Sequence, residues 1–241
     1  MGILEDLLAS LDHDAPVRSI LVGAHWTVVC SRHGGMAATL KDDHPHGHSP
    51  VREAGRLHTK TARELAEYAR SDNLLEASIG VAAINSLLDV DESQAVEINA
   101  VEVLIEHGGG KNVALVGHFP FIPRLRPVVG NLWVIEQRPV DGEYPAEAAA
   151  DLIPQADVVA ITSSALINHT MDGLLALCRP DALVMALGPS TPLSPLLFQH
   201  GVNILSGSKV VDEPSLLRAI GQGASFQQAE GVRLLTIRRM S

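Results

Sequence analysis

Three imidazoles stand at alternate positions in one short stretch, His44-Pro-His46-Gly-His48, with Asp42 and Asp43 just before them. In an extended segment, residues i, i+2 and i+4 point to one side. That spacing makes His44, His46 and His48 candidate metal ligands. Neutral imidazoles suit Zn, Cu, Ni or Fe, and the two aspartates could add ligands or orient the rings. A transition-metal ion is therefore the cofactor class these residues suggest. Pro45 and Gly47 make the local geometry irregular, so the competing reading is an exposed loop whose histidines bind nothing.

A second set of candidates sits in turns. Gly117-His118-Phe119-Pro120, Glu136-Gln137-Arg138-Pro139, Thr162-Ser163-Ser164, Gly188-Pro189-Ser190-Thr191 and Ser206-Gly207-Ser208-Lys209 each follow a short apolar run. Small and hydroxyl residues expose backbone N–H groups and let a ligand, often an anion, come close. One such turn is simply what a chain needs to reverse and cap the next helix. Four on one sheet edge point to a binding crevice. Glu136 closes its strand where an α/β sheet often places a ligand-facing acid; the alternative is a salt bridge. Asn168 and Thr170, soon after Thr162 and Ser163, can bond a ligand or cap a helix. His118 follows the first of these strands, whereas His25, His33, His58 and His169 read individually as structural or surface residues.

Several common sites are excluded. GHFPFIP lacks the G-x-G-x-x-G spacing that holds a dinucleotide pyrophosphate, so no dinucleotide is expected. Gly110-Lys111 precedes a strand instead of following one, and Asn112 stands where a phosphate loop needs Ser or Thr. There is no G-x-S-x-G elbow.

The elements that must position these residues follow from apolar periodicity. Residues 3–11 have helical spacing. Runs 17–23 and 26–31 read as a hairpin, with 36–40 as a third antiparallel strand. Residues 41–55 form a long polar loop, a kind uncommon without a function. Thr61 to Glu64 fits a capping box. Residues 73–88 form a helix apolar nearly all round, hence buried at a junction, with Gly80, Ala82 and Ala83 allowing close approach. Beyond residue 99, apolar strands at 113–117, 132–137, 157–162, 182–188, 202–207 and 232–239 alternate with helices, one of them spanning 164–178. Such alternation implies a mostly parallel sheet covered on both faces. The expected class is α/β, with a small α+β domain at 1–95 and a Rossmann-like three-layer domain at 96–241.

Composition narrows the partners. The 241 residues include 18 Lys and Arg against 28 Asp and Glu, a net charge of −10. Such a chain is a poor phosphate-backbone binder, and an aromatic content of 3% leaves few rings for base stacking; no nucleic-acid partner is expected. No run approaches the ~18 apolar residues of a membrane span, and the N-terminus lacks a signal-peptide pattern. Cys30 and Cys178 read as buried thiols of a reduced cytoplasm. A homodimer is the default expectation for a soluble oligomer.

Four groups of residues, in order, carry a resemblance: Ile79-Gly-Val-Ala-Ala-Ile-Asn85-Ser86, Gly117-His118-Phe119-Pro120, Asp157 to Thr162 with Asn168-x-Thr170, and Gly188-Pro-Ser-Thr-Pro-Leu193. They resemble the heavy-metal chelation family, an uncharacterised bacterial and archaeal family, over nearly the whole chain. The resemblance implies an enolase N-terminal-like domain, a Rossmann-like domain and a ligand-binding cleft between them. Carried over, that cleft involves Asn85, Gly117, His118, Glu136, Thr162, Asn168, Gly188 and Thr191. The turns add Ser163, Thr170 and Ser190. One departure is His169, where the family often has Gly; it would narrow the pocket or add a ligand. The barrel domain that carries enolase chemistry is missing, so no enolase activity is implied.

The leading functional reading is a cytoplasmic protein handling a metal ion, or a small metal-chelating or anionic ligand, in the cleft. Two alternatives remain. One is a metal-independent enzyme acting on a small anionic substrate, with His118 or Glu136 as acid or base. The other is a non-catalytic interaction module. Catalysis itself is left open by the residues.

Overall fold

Side-chain alternation along each strand decides which residues share a face, and the central strands of the large sheet are buried on both faces. In this computed structural model, residues 2–41 and 50–239 are described. His44, His46 and His48, with Asp42 and Asp43, lie outside them.

The small sheet is antiparallel, in the order β1 (Ser19–Val22), β2 (Trp26–Cys30), β3 (Gly34–Ala38). The large sheet has eight strands: β4 (Ala95–Val96), β5 (Asn112–Val116), β6 (Asn131–Glu136), β7 (Tyr144–Pro145), β8 (Val158–Thr162), β9 (Leu183–Leu187), β10 (Ile204–Val210) and β11 (Val232–Arg238). Their spatial order is β4-β11-β10-β9-β8-β5-β6-β7. The pairs from β10 through to β7 are parallel, whereas β11 runs antiparallel to β10 and β4. The two-residue edge strands β4 and β7 are too short to leave a periodic signal in the sequence.

Both faces of the large sheet are buried. Ala114, Ile135, Val159 and Ile161 join one apolar cluster, which runs on without interruption to Ile3, Leu7, Ile79 and Ile84. The alternate residues Val113, Leu115, Val134 and Ala160 face a second cluster with Leu104 and Leu125. Among the described residues no helix is long and apolar enough to cross a membrane.

The capping box is formed as expected: Thr61 Oγ1 accepts from Glu64 N at 3.2 Å, and Glu64 Oε2 from Thr61 N at 2.7 Å. The buried helix runs Leu74–Leu87. Close approach at Gly80 is real, since a Cβ there would lie 1.9 Å from Ala69 N. Gly35 plays the same part on β3, where a Cβ would meet Ala82 O at 2.3 Å.

The helix expected over 164–178 is broken. Helices Ser164–Ile167 and Met171–Ala176 are separated at Asn168-His169-Thr170, where His169 has φ +59°. A left-handed residue cannot continue a right-handed helix. Cys30 and Cys178 are free thiols, and burial pushes Cys178 up to about 11, far from a reactive thiolate.

Candidate functional site

The strand order reverses direction at β5. From β5 the chain goes to β6 on one side, then returns to β8 on the other, so the switch point lies between β5 and β8. Open α/β sheets bind ligands outside the strand carboxyl ends at this point. Gly117 follows β5 and Thr162 ends β8, and a cavity of about 690 Å³ opens there. Of the eleven predicted ligand residues, Gly117, His118, Glu136, Thr162, Asn168, Thr170, Gly188 and Ser190 line it.

Backbone geometry explains two of these positions. Gly117 and Gly188 have φ of +106° and +107°, a region side chains rarely adopt. A Cβ at Gly117 would also sit 3.0 Å from the Thr162 side chain. The two turns can therefore lie close together at the cavity floor.

Glu136 lines the cavity, and among the described residues its carboxylate is held by backbone N–H groups, not by a salt bridge. Its Oε2 accepts from His118 N at 2.9 Å and its Oε1 from Gln137 N at 2.7 Å. It thus fixes the turn that carries His118. The His118 ring is held separately, with Nδ1 2.5 Å from Glu143 Oε1. Glu143 has 5% of its side chain exposed, against 58% for His118. The Val140 N–H holds the Glu143 carboxyl below the ordinary carboxylate range, and His118 adds to this against the opposing effect of burial.

Asn168 and Thr170 bond to each other across the helix break, with Thr170 Oγ1 donating to Asn168 Oδ1 at 2.7 Å. Between them, His169 turns away from the cavity: its Nε2 meets Ala69 O at 2.8 Å. It neither narrows the pocket nor adds a ligand there, because its left-handed backbone directs the ring to the other side.

Asn85, Ser163 and Thr191 do not line this cavity. Asn85 Nδ2 donates to Met36 O at 3.0 Å and to Ser190 O at 3.1 Å. It clamps the Gly188–Ser190 turn to β3, and Ser190 Oγ adds to the clamp by accepting from Ala38 N at 2.8 Å. Ser163 and Thr191 are buried and share a 2.8 Å hydroxyl pair beneath the turns. The first ninety-five residues contribute Trp26 and Leu40 to the wall instead.

Sequence reasoning also missed Glu143, Ser225, Phe226 and Gln227. Phe226 carried a signal: it is an aromatic residue inside a polar run, Ser225-Phe-Gln-Gln228. Glu143 carried none, because its partner His118 is distant in the chain.

Residues 4–88 and 99–239 match two adjacent family descriptions, both worded "Putative heavy-metal chelation". The chain belongs to that family. An uncharacterized protein of Methanocaldococcus jannaschii is 27% identical over 185 residues, 74% of this chain and 70% of its own length. A crystal structure of a DUF364-family protein of unknown function from Desulfitobacterium hafniense is 28% identical, with TM-score 0.86 over 98% of each chain. A second, from Pyrococcus horikoshii, shares the fold with TM-score 0.81 at 22% identity, again over 98% of each chain.

The family description raises the question of a metal. Zinc sites draw three or four ligands from the chain. Among the described residues no group of three His, Cys, Asp or Glu side chains is placed to hold one. Among the described residues the cavity lining offers two such side chains, His118 and Glu136, fewer than a zinc ion takes from a protein.

Proposed function

We propose that the switch-point cavity binds a small metal-chelating molecule, so that any metal arrives as cargo with most of its ligands already supplied. The observation that carries this reading is the cavity itself. Its volume of about 690 Å³ lies well within the range of small-molecule sites, while its described donors are too few for an ion alone. Residues 1–95 and 96–241 act in this reading as two units meeting at the cavity. A volume of this size also disfavours a plain interaction module, which needs no cavity. The test is thermal stabilisation of untagged protein by small chelators, with and without Zn, Ni, Cu, Co or Fe. Chelators should stabilise the wild type and a His44, His46, His48 triple alanine variant alike. Stabilisation by bare metal, lost in the triple variant, would move the site to that histidine stretch.

A second reading rests on one contact. A carboxylate on Nδ1 fixes the tautomer and orientation of an imidazole and leaves its other nitrogen to face the substrate. The His118–Glu143 pair therefore suits proton transfer on a small anionic substrate without metal. Stabilisation by carboxylate- or phosphate-bearing metabolites, but not by chelators, would favour it.

A further inference from the structure

The chain has four Phe, two Trp and two Tyr residues. Half of these eight rings, Trp26, Phe119, Phe121 and Phe226, line two neighbouring hollows. The first lobe, of about 690 Å³, and the second, of about 530 Å³, have Phe119, Pro120, Gly188, Pro189, Phe226 and Gln227 as shared wall. The rings come from separate places in the chain: β2, the turn after β5, and the short Phe226–Gln228 helical turn before β11. Trp26 and Phe226 lie 5.5 Å apart between centroids at 60°, and Phe119 and Phe121 stack at 5.0 Å and 18°. Phe119 and Phe121 are partly buried against one apolar cluster, and Trp26 and Phe226 against another. Each ring pair is thus anchored from behind and reaches the hollows in front.

A pocket for an aliphatic molecule needs no aromatic walls, and this chain has few rings to place. Aromatic faces and edges give their extra attraction to other π systems, beyond the area they bury. The polar groups gather at the Gly117 and Thr162 turns, where His118, Glu136 and Ser164 also line the first lobe. Among the described residues no lysine or arginine lines that lobe.

We propose that the first lobe takes a flat, conjugated heteroaromatic molecule, its rings against Phe119 and Phe226 and its heteroatom edge at the switch-point turns. This rests on the small-chelator reading and names the class of chelator. A ring nitrogen beside a carboxylate forms a bidentate metal-binding edge. With Nδ1 held by Glu143, His118 keeps Nε2 to fill one further position on a metal so carried.

The experiment uses the full chain carrying Trp133→Phe, so that Trp26 alone reports by fluorescence. Calorimetric titrations compare quinoline-2-carboxylate with citrate, each with and without equimolar Zn. Quinoline-2-carboxylate should bind at least ten-fold more tightly than citrate and quench Trp26. Phe226→Leu keeps apolar bulk but removes the ring, and should weaken quinoline-2-carboxylate about five- to ten-fold while leaving the weaker citrate affinity unchanged. Phe119→Leu makes the same comparison should Phe226→Leu fail to fold by circular dichroism. Citrate binding as tightly as quinoline-2-carboxylate, or leucine variants that bind quinoline-2-carboxylate unchanged, would overturn the aromatic class and leave the chelator reading standing. Binding of neither probe would overturn both.

Discussion

Glu76 shows how much a single buried carboxylate can hold. It is 2% exposed and accepts from Arg52 N at 2.6 Å, Arg52 Nε at 2.9 Å and Ser71 Oγ at 2.7 Å. Burial alone would raise its pKa, but the Arg52 and Ser71 donors outweigh it and hold the carboxyl below its ordinary 4.5. A folded pKa below the unfolded one means that the stabilisation is complete above about pH 4.5 and fades as pH falls through the folded value. Glu76→Gln should therefore cost about 1–3 kcal/mol at neutral pH and flatten the acid limb of a stability–pH curve. Denaturant titrations at pH 7 and pH 3 check both parts, and an unchanged acid limb would count against it. At this scale the sequence was partly legible. The residues with turn chemistry, such as Gly117 and Gly188, could be picked out because their backbone demands are local. Asn85 could not be placed, because its role as a clamp depends on Met36 and Ser190 arriving beside it.

At the scale of elements, the packing of the Leu74–Leu87 helix against Ala69 decides between opposing effects. Gly80→Ala improves helix propensity by about 1 kcal/mol. The added Cβ, however, would sit 1.9 Å from the Ala69 backbone nitrogen, and backbone cannot step aside as a side-chain tip can. A clash this close with backbone belongs at the upper end of the overpacking cost of roughly 1–3 kcal/mol, so after the propensity gain the variant should be less stable by about 2 kcal/mol. That corresponds to a Tm lower by roughly 4–8 °C in a chain of this size. A higher Tm would show that the two segments can separate at no cost. The strands and the capping box were readable because they rest on period and on four-residue chemistry. The helix break at His169 was not, since histidine carries no breaker signal and its left-handed backbone is held by Ala69 O, a hundred residues away.

For the whole molecule, one apolar cluster links the N-terminal helix (Ile3–Ala9), the Leu74–Leu87 helix and one face of the large sheet. Residues 1–95 and 96–241 should therefore unfold together. Scanning calorimetry is expected to show a single transition with equal calorimetric and van't Hoff enthalpies, and two resolved peaks would refute that coupling. By itself the sequence determined the α/β class, the longer strands with the turns after them, and an acidic chain with few aromatics, because periodicity, turn chemistry and composition are local properties. Only the tertiary structure decided the strand order that puts the β5 and β8 turns side by side at the switch point. It alone seated Glu143 against His118, and it alone gathered half of the scarce rings around two neighbouring hollows. The reason is physical. Such juxtapositions join residues up to two hundred positions apart, and they exist only once a shared core has made the alternative arrangements unfavourable.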